Sequence, residues 1–226
     1  MKKCLVISIL IAGAFTLPCA AAIKDPAAAM AALASATPKD RLDAIYFLGA
    51  QRSTEAYAAL AAHFPQEKDA YLRVQLVETL NVEGSTWAYA CASAAADDKN
   101  KSVRGAAARA LAVKAGDPAA DIKLKALAAD PVEGVRAALV NSLSVGTSTS
   151  AASIVGGVLA DGKGTLRLRR AAAAALARMK TPQADSELKK HVSDPDPDIK
   201  AAAVSRQAKE EKPAAPAKPA KPAKKQ

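Results

Sequence analysis

The sequence predicts an all-α fold, an α-solenoid of about five helix pairs plus capping helices. Three observations predict it. Of 226 residues, 58 are alanine, the best helix former and small enough to let neighbouring backbones approach. Aromatic residues make up only 4%, too few for the β-branched and aromatic faces of a sandwich or barrel. One basic residue also returns in a fixed frame, at Arg41, Arg73, Arg104, Arg136, Arg169 and Lys200, at intervals of 31 to 33 residues. Self-similarity with that period marks a stacked array of small units. Half the chain is apolar and 24% is charged, a balance that excludes wholesale disorder.

The frame around each basic residue justifies the first helix of each unit. Before it stand Leu72, Val103, Val135, Leu168 and Ile199, with Asp40 in the first copy. Three residues after it come Ala44, Leu76, Ala107, Leu139, Ala172 and Ala203, and seven after it Leu48, Leu80, Leu111, Leu143 and Leu176, with Gln207 in the last copy. Positions four apart share one helix face, so each unit opens with an amphipathic helix. Turn signals follow at Gly49, Gly84, Gly116-Asp117-Pro118, Gly146 and Pro182, and each introduces a second helix-compatible run. Ser53, Ser85 and Ser148 read as N-caps, and Pro118 and Pro182 suit a first helical turn. Gly156-Gly157 and the β-branched Ile154 and Val155 lower helix propensity in the fourth copy, where looser packing is expected. Residues 26–35 form a helix that caps the first unit. The last helix, from Pro197 to about Glu211, carries Arg206-Gln207 where its predecessors are apolar, as a solvent-facing cap should.

These units resemble HEAT repeats, in particular the short HEAT-like repeats of the phycobilisome-lyase type. The resemblance covers about Lys39 to Ala208 and is carried by "KSVRGAAARAL", "EGVRAALVNSL", "LRLRRAAAAAL" and the degenerate "PDIKAAAVSRQ". An aspartate also recurs six residues before the basic position, as Asp98, Asp130 and Asp194. In the HEAT family such an Asp and the Arg form a ladder between neighbouring repeats. The resemblance therefore implies a ladder of Arg41, Arg73, Arg104, Arg136, Arg169 and Lys200 with Asp98, Asp130 and Asp194. Ser35, Glu67 and Lys163 hold the acidic offset elsewhere, so interruptions are expected at the first and fifth copies.

The two ends read differently from the array. Met1-Lys2-Lys3, the apolar run from Cys4 to Leu17 and Ala20-Ala21-Ala22 follow the pattern of a signal peptide cleaved after Ala22. Domain limits of 1–22 for the leader, 23–211 for the solenoid and 212–226 for a disordered tail follow, with a periplasmic or secreted location. Cleavage removes Cys4 and Cys19 and leaves Cys91 alone, either buried as a small hydrophobe or exposed for intermolecular pairing. Its small, apolar neighbours favour burial. In the tail Pro213, Pro216, Pro219 and Pro222 recur every third residue, the period of polyproline II. Lys212, Lys218, Lys221, Lys224 and Lys225 there form a candidate site for anionic cell-envelope polymer or lipid headgroups.

The function expected from these features is a non-enzymatic scaffold binding a protein partner through its concave face, which second helices line in HEAT arrays. The alternative is an envelope tether acting through the Lys/Pro tail. Tyr57, His63, Trp87 and Tyr89 are the candidate partner-binding residues, because amphipathic rings anchor interfaces. The opposing possibility is that these rings fill space between alanine-rich helices. No catalytic motif is present, no cofactor or metal is expected, and His63 and His191 lie too many repeats apart to share an ion. A bilin-lyase activity is the third reading that the resemblance implies. Most of the net charge of +10 lies in the leader and tail, so no basic groove for nucleic acid is expected. A monomer without a transmembrane segment completes the expectation.

Overall fold

The computed structural model describes residues 23–81, 86–162 and 164–210, with side chains as far as Arg206. The leader, Gly84, Ser85, Lys163, Gln207 and the Lys/Pro tail lie outside the residues or side chains described.

Twelve α-helices and a short 3-10 turn occur among the described residues, with no strand. A capping helix, α1 (Pro26–Ala32), precedes five pairs. These are α2 (Pro38–Gln51) with α3 (Thr54–His63), α4 (Ala70–Asn81) with α5 (Thr86–Ala95), and α6 (Lys101–Ala112) with α7 (Pro118–Ala128). Next come α8 (Glu133–Leu143) with α9 (Thr149–Ala160), and α10 (Leu166–Arg178) with α11 (Pro182–Lys189). The final helix, α12 (Pro197–Glu210), covers the last pair. Local chemistry sets the boundaries. Ser53 accepts from Ala56 N, Asp117 from Ala119 N and Ala120 N, Ser148 from Ala151 N and Thr181 from Ala184 N, and Pro118 and Pro182 occupy first turns.

First helices pack in an unbroken row, α2 on α4, α6, α8, α10 and α12 in turn. The second row is less even: α3 meets α5, and α9 meets α7 and α11, while α5 and α7 pack little against each other and are linked by the Lys123–Asp97 ion pair. Between the rows lies a core of the repeating leucines, with Leu48, Leu80, Leu111, Leu143 and Leu176 all buried. Alanines fill the spaces that these leave. No single pair could enclose its own apolar face, so stability comes from the stacking.

Three expectations about local structure are corrected. Gly49 is not a turn residue: α2 runs on to Gln51, and Arg52 ends it in the left-handed region at φ 50°. The glycine serves close approach instead, because a Cβ there would lie 2.2 Å from Thr79 Cγ2 on α4. Gly49→Ala is therefore expected to destabilise by about 1–2 kcal/mol despite better helix propensity. Thermal melts check this, and adding Thr79→Ser, which deletes the clashing methyl, should restore stability. Packing around Gly156 is not loose either. The Glu187 side chain of α11 lies against it, 2.6 Å from where a Cβ would stand, and α9 buries Ile154, Val155, Val158 and Leu159. Arg206 is not a solvent-facing cap residue. It pairs with Asp185 and donates to the carbonyls of Ala177 and Met179, satisfying the end of α10.

Candidate functional site

The inter-repeat turns carry one repeated hydrogen-bond device. Arg41 donates from Nε and Nη2 to Glu67 at 2.8 and 3.0 Å, Arg73 to Asp98 at 2.7 and 2.9 Å, and Arg104 to Asp130 at 2.5 and 3.0 Å. The remaining edge of each guanidinium binds carbonyls of its own turn: Ser35 for Arg41, Glu67 and Lys68 for Arg73, and Asp98 and Lys99 for Arg104. Each acid in turn accepts the backbone N–H two residues on, from Asp69, Asn100 and Val132. The planar fork of arginine suits this bidentate arrangement, and a lysine would not reproduce it. Glu67 thus fills a rung where sequence reading did not place it.

Toward the C-terminus the rungs change. Arg169 reaches Asp194 through Nη2 alone, at 2.5 Å, and donates Nε to the Leu159 carbonyl. Its neighbour Arg170 binds Asp196 and Asp198, a second link that the frame did not reveal. Lys200 is exposed and makes no ladder pair among the described residues. Both histidines sit against ladder acids, His63 Nε2 at 3.1 Å from Glu67 and His191 Nδ1 at 3.2 Å from Asp194. Burial alone would raise the Glu67 carboxyl, but the hydrogen bonds from Arg41, the Asp69 amide and His63 outweigh it and hold the group at about 2.

Arg136 stands apart. Its Nη1 donates to the Asp130 carbonyl at 2.5 Å, in the same way as its counterparts. Its Nε is buried and makes no hydrogen bond among the described residues. In the other rungs the acid stands 25 or 26 residues after its arginine, the positions held here by Asp161 and Gly162.

The candidate partner-binding aromatics do not form one patch. Tyr57 is 3% exposed and belongs to the core, because the alanine-rich interface leaves room for a ring. Tyr89 is partly buried against the same core, and His63 is committed to Glu67. Trp87 alone of the four is well exposed, at 40%. Two tyrosines that the sequence did not single out, Tyr46 at 48% and Tyr71 at 57%, lie exposed on the first-helix row, where the Tyr46 hydroxyl donates to Gln75 Oε1. Cys91 is buried, which pushes its thiol up to about 12 and keeps it protonated.

Equivalent positions on the second helices expose uncharged residues: Ala90 and Ala94 on α5, Ile122 and Ala126 on α7, Ser153 and Gly157 on α9. Within this face, between α7 and α9, is an open groove of about 340 Å³. Ile154 and Val158 floor it, Ala128, Ala129, Ser153 and Gly157 line it, and Lys125 and Asp161 flank it. A Cβ on Gly157 would meet nothing within 4 Å, so the glycine leaves the groove open. The Gly156-Gly157 pair was the sequence signal for it. Among the described residues no group of three or more His, Cys, Asp or Glu side chains could hold a metal ion.

Compared with known proteins, the chain matches no protein-family profile and no curated protein in sequence. Solved structures do match. The complex of CpcE and CpcF of phycocyanin lyase from Nostoc sp. PCC7120 superposes with a TM-score of 0.54 at 22% identity, covering 88% of this chain and 80% of that one. Human deoxyhypusine hydroxylase in complex with glycerol matches at a TM-score of 0.36 and 14% identity, over 81% of this chain and 94% of that one. The expectation of a non-enzymatic chain is corrected here. Phycocyanin lyase is an enzyme built on this architecture, so the lack of familiar catalytic motifs does not mark a chain of this fold as inactive. What the superposition establishes is architectural: the chain is an all-α solenoid of the HEAT type, the fold of the phycocyanin lyase chains.

Proposed function

We propose that the protein is exported and docks a protein partner on the face formed by its second helices, the concave side in HEAT arrays. The observation that carries this reading is the apolar groove between α7 and α9, set in a face with few charges. Depletion of charge at the centre of a patch, with apolar groups to anchor a partner, distinguishes interfaces from ordinary surface. Ile122 and Trp87, exposed on the same row, supply large apolar groups beside the groove face. Assembly of such solenoids has a precedent in CpcE and CpcF, two chains in one complex. Export is supported by the basic start, apolar run and Ala20-Ala21-Ala22 at the N-terminus. Among the described residues no helix is long and apolar enough to cross a membrane.

Gly157→Arg tests the docking face. The site has room for a side chain and arginine is the better helix former, so folding should be unaffected or slightly improved. Crosslinking capture from cell envelopes should yield a partner with the unmodified protein and lose it with Gly157→Arg, while far-UV circular dichroism stays the same. Equal capture by both would exclude this groove as the docking site.

A further inference from the structure

The two edges of the array differ. At one edge the chain passes from each pair to the next, and there five arginines, Arg41, Arg73, Arg104, Arg169 and Arg170, pair with acids of the turns. At the other edge it turns within each pair, from first helix to second, and large apolar side chains project. Val145 is 85% exposed, Val113 68% and Trp87 40%, each from a different one of three successive pairs. Val113 and Val145 flank one open hollow of about 300 Å³, whose other walls include the small residues Ala115 and Gly146. Arg52, Lys114, Arg178 and Lys180 stand exposed at the same edge and form no ion pair among the described residues. The acids nearby are mostly engaged: Asp117 caps α7, Asp121 accepts from Ser150 and the Gly116 amide, and Asp185 pairs with Arg206, while Glu55 is exposed. The C-terminal end of α12 also reaches this edge, since Arg206 donates to the Ala177 and Met179 carbonyls at the end of α10. The segment carrying Lys212, Lys218, Lys221, Lys224 and Lys225 therefore begins there.

We infer that this edge docks on an anionic lipid surface: Trp87, Val113 and Val145 enter the headgroup layer while Arg52, Lys114, Arg178 and Lys180, with the lysines that follow α12, meet the lipid phosphates. Apolar tips and cations act together at such a boundary, the tips by leaving water and each cation by its attraction to the anionic leaflet. Tryptophan suits the position, with a ring for the apolar side and an N–H for the wet side. The three apolar side chains stand along one edge on successive pairs, a row that a lipid surface covers, whereas the anchors of a protein interface cluster about a centre. The groove between α7 and α9 lies on the second-helix face, so this inference does not depend on the docking proposed there.

Trp87 is the single tryptophan, so its fluorescence in the full chain reads this edge directly. With vesicles of phosphatidylglycerol and phosphatidylcholine in equal parts, its emission should move to shorter wavelength and be quenched by brominated acyl chains. Vesicles of phosphatidylcholine alone should produce little change. Lys114→Glu with Lys180→Glu should raise the lipid concentration needed for the response at least about tenfold, because each cation near the surface strengthens attachment severalfold. Lys101→Glu with Lys200→Glu makes the same charge change at exposed sites on the opposite edge and should have a much smaller effect. Val113→Ser with Val145→Ser should weaken the response severalfold at unchanged charge, and the exposure of both sites keeps the fold intact. Gly157→Arg should leave the response in place, which separates this edge from the docking groove. Cosedimentation with vesicles but no change at Trp87 assigns attachment to the leader or tail and overturns the inference, as does an equal loss from the two lysine pairs. A Trp87 shift with lipid-free envelope protein and none with vesicles assigns the edge to a protein partner and overturns it as well.

Discussion

Asp98→Ala is expected to destabilise the protein by about 3–5 kcal/mol, the range for removing one member of a buried, hydrogen-bonded ion pair. Arg73 is 7% exposed, and two of its guanidinium nitrogens donate to Asp98. Truncating the acid strands both donors and removes the acceptor for Asn100 N–H. The lost free energy is chiefly that of an uncompensated buried charge. Replacing both partners with leucine should consequently cost much less than Asp98→Ala alone. Glu78→Ala, which breaks the half-exposed pair with Arg109, should change stability by less than about 1 kcal/mol. Urea unfolding followed by circular dichroism compares the three. Similar losses for Asp98→Ala and Glu78→Ala would show that burial does not set the strength of the rung.

Acid should unfold the array, with Glu67 as a main contributor. Its carboxyl is lowered from the ordinary 4.5 to about 2 in the folded protein, where burial would raise it but hydrogen bonds from Arg41, the Asp69 amide and His63 prevail. Because the folded value is depressed, its contribution is fully present above the unfolded value and is lost as pH falls through the folded one. The window runs from about pH 4.5 down to about 2, and the difference corresponds to about 3 kcal/mol. Asp98, Asp130 and Asp194 are lowered too: burial opposes ionisation at each, while their arginine and backbone partners favour it more strongly, so all act in the same direction. Unfolding free energies measured from pH 7 to pH 2 should fall steeply below about pH 4.5. Glu67→Gln should be less stable at pH 7 and lose about 3 kcal/mol less across that window. An unchanged acid dependence in Glu67→Gln would mean that the Arg41–Glu67 rung contributes nothing.

Much of the architecture was written in the sequence because the array is nearly one-dimensional. Each repeat touches only its neighbours, so a fixed sequence offset becomes a fixed spatial relation. Arg73 and Asp98 meet because one opens a first helix and the other lies in the next turn, and the spacing of leucines at plus seven marks the face that must be buried.

Lateral packing was decided only in the tertiary structure. Periodicity identifies the apolar face of a helix but not which neighbour covers it or how closely. Gly49 looked like a turn and proved to be the point where α4 comes near, Tyr57 looked like an anchor and is core, and Arg206 looked like a cap for solvent and ties three elements together. The groove arises because Gly156 admits Glu187 on one side of α9 while Gly157 leaves the other side open toward α7. Repeat frame, helix boundaries and ladder offsets are local properties of the chain and follow from the sequence by itself. The groove, the exposure of the aromatics and the unmet donor of Arg136 depend on gaps between helices, which the sum of all side-chain volumes across the interface determines and no single offset encodes.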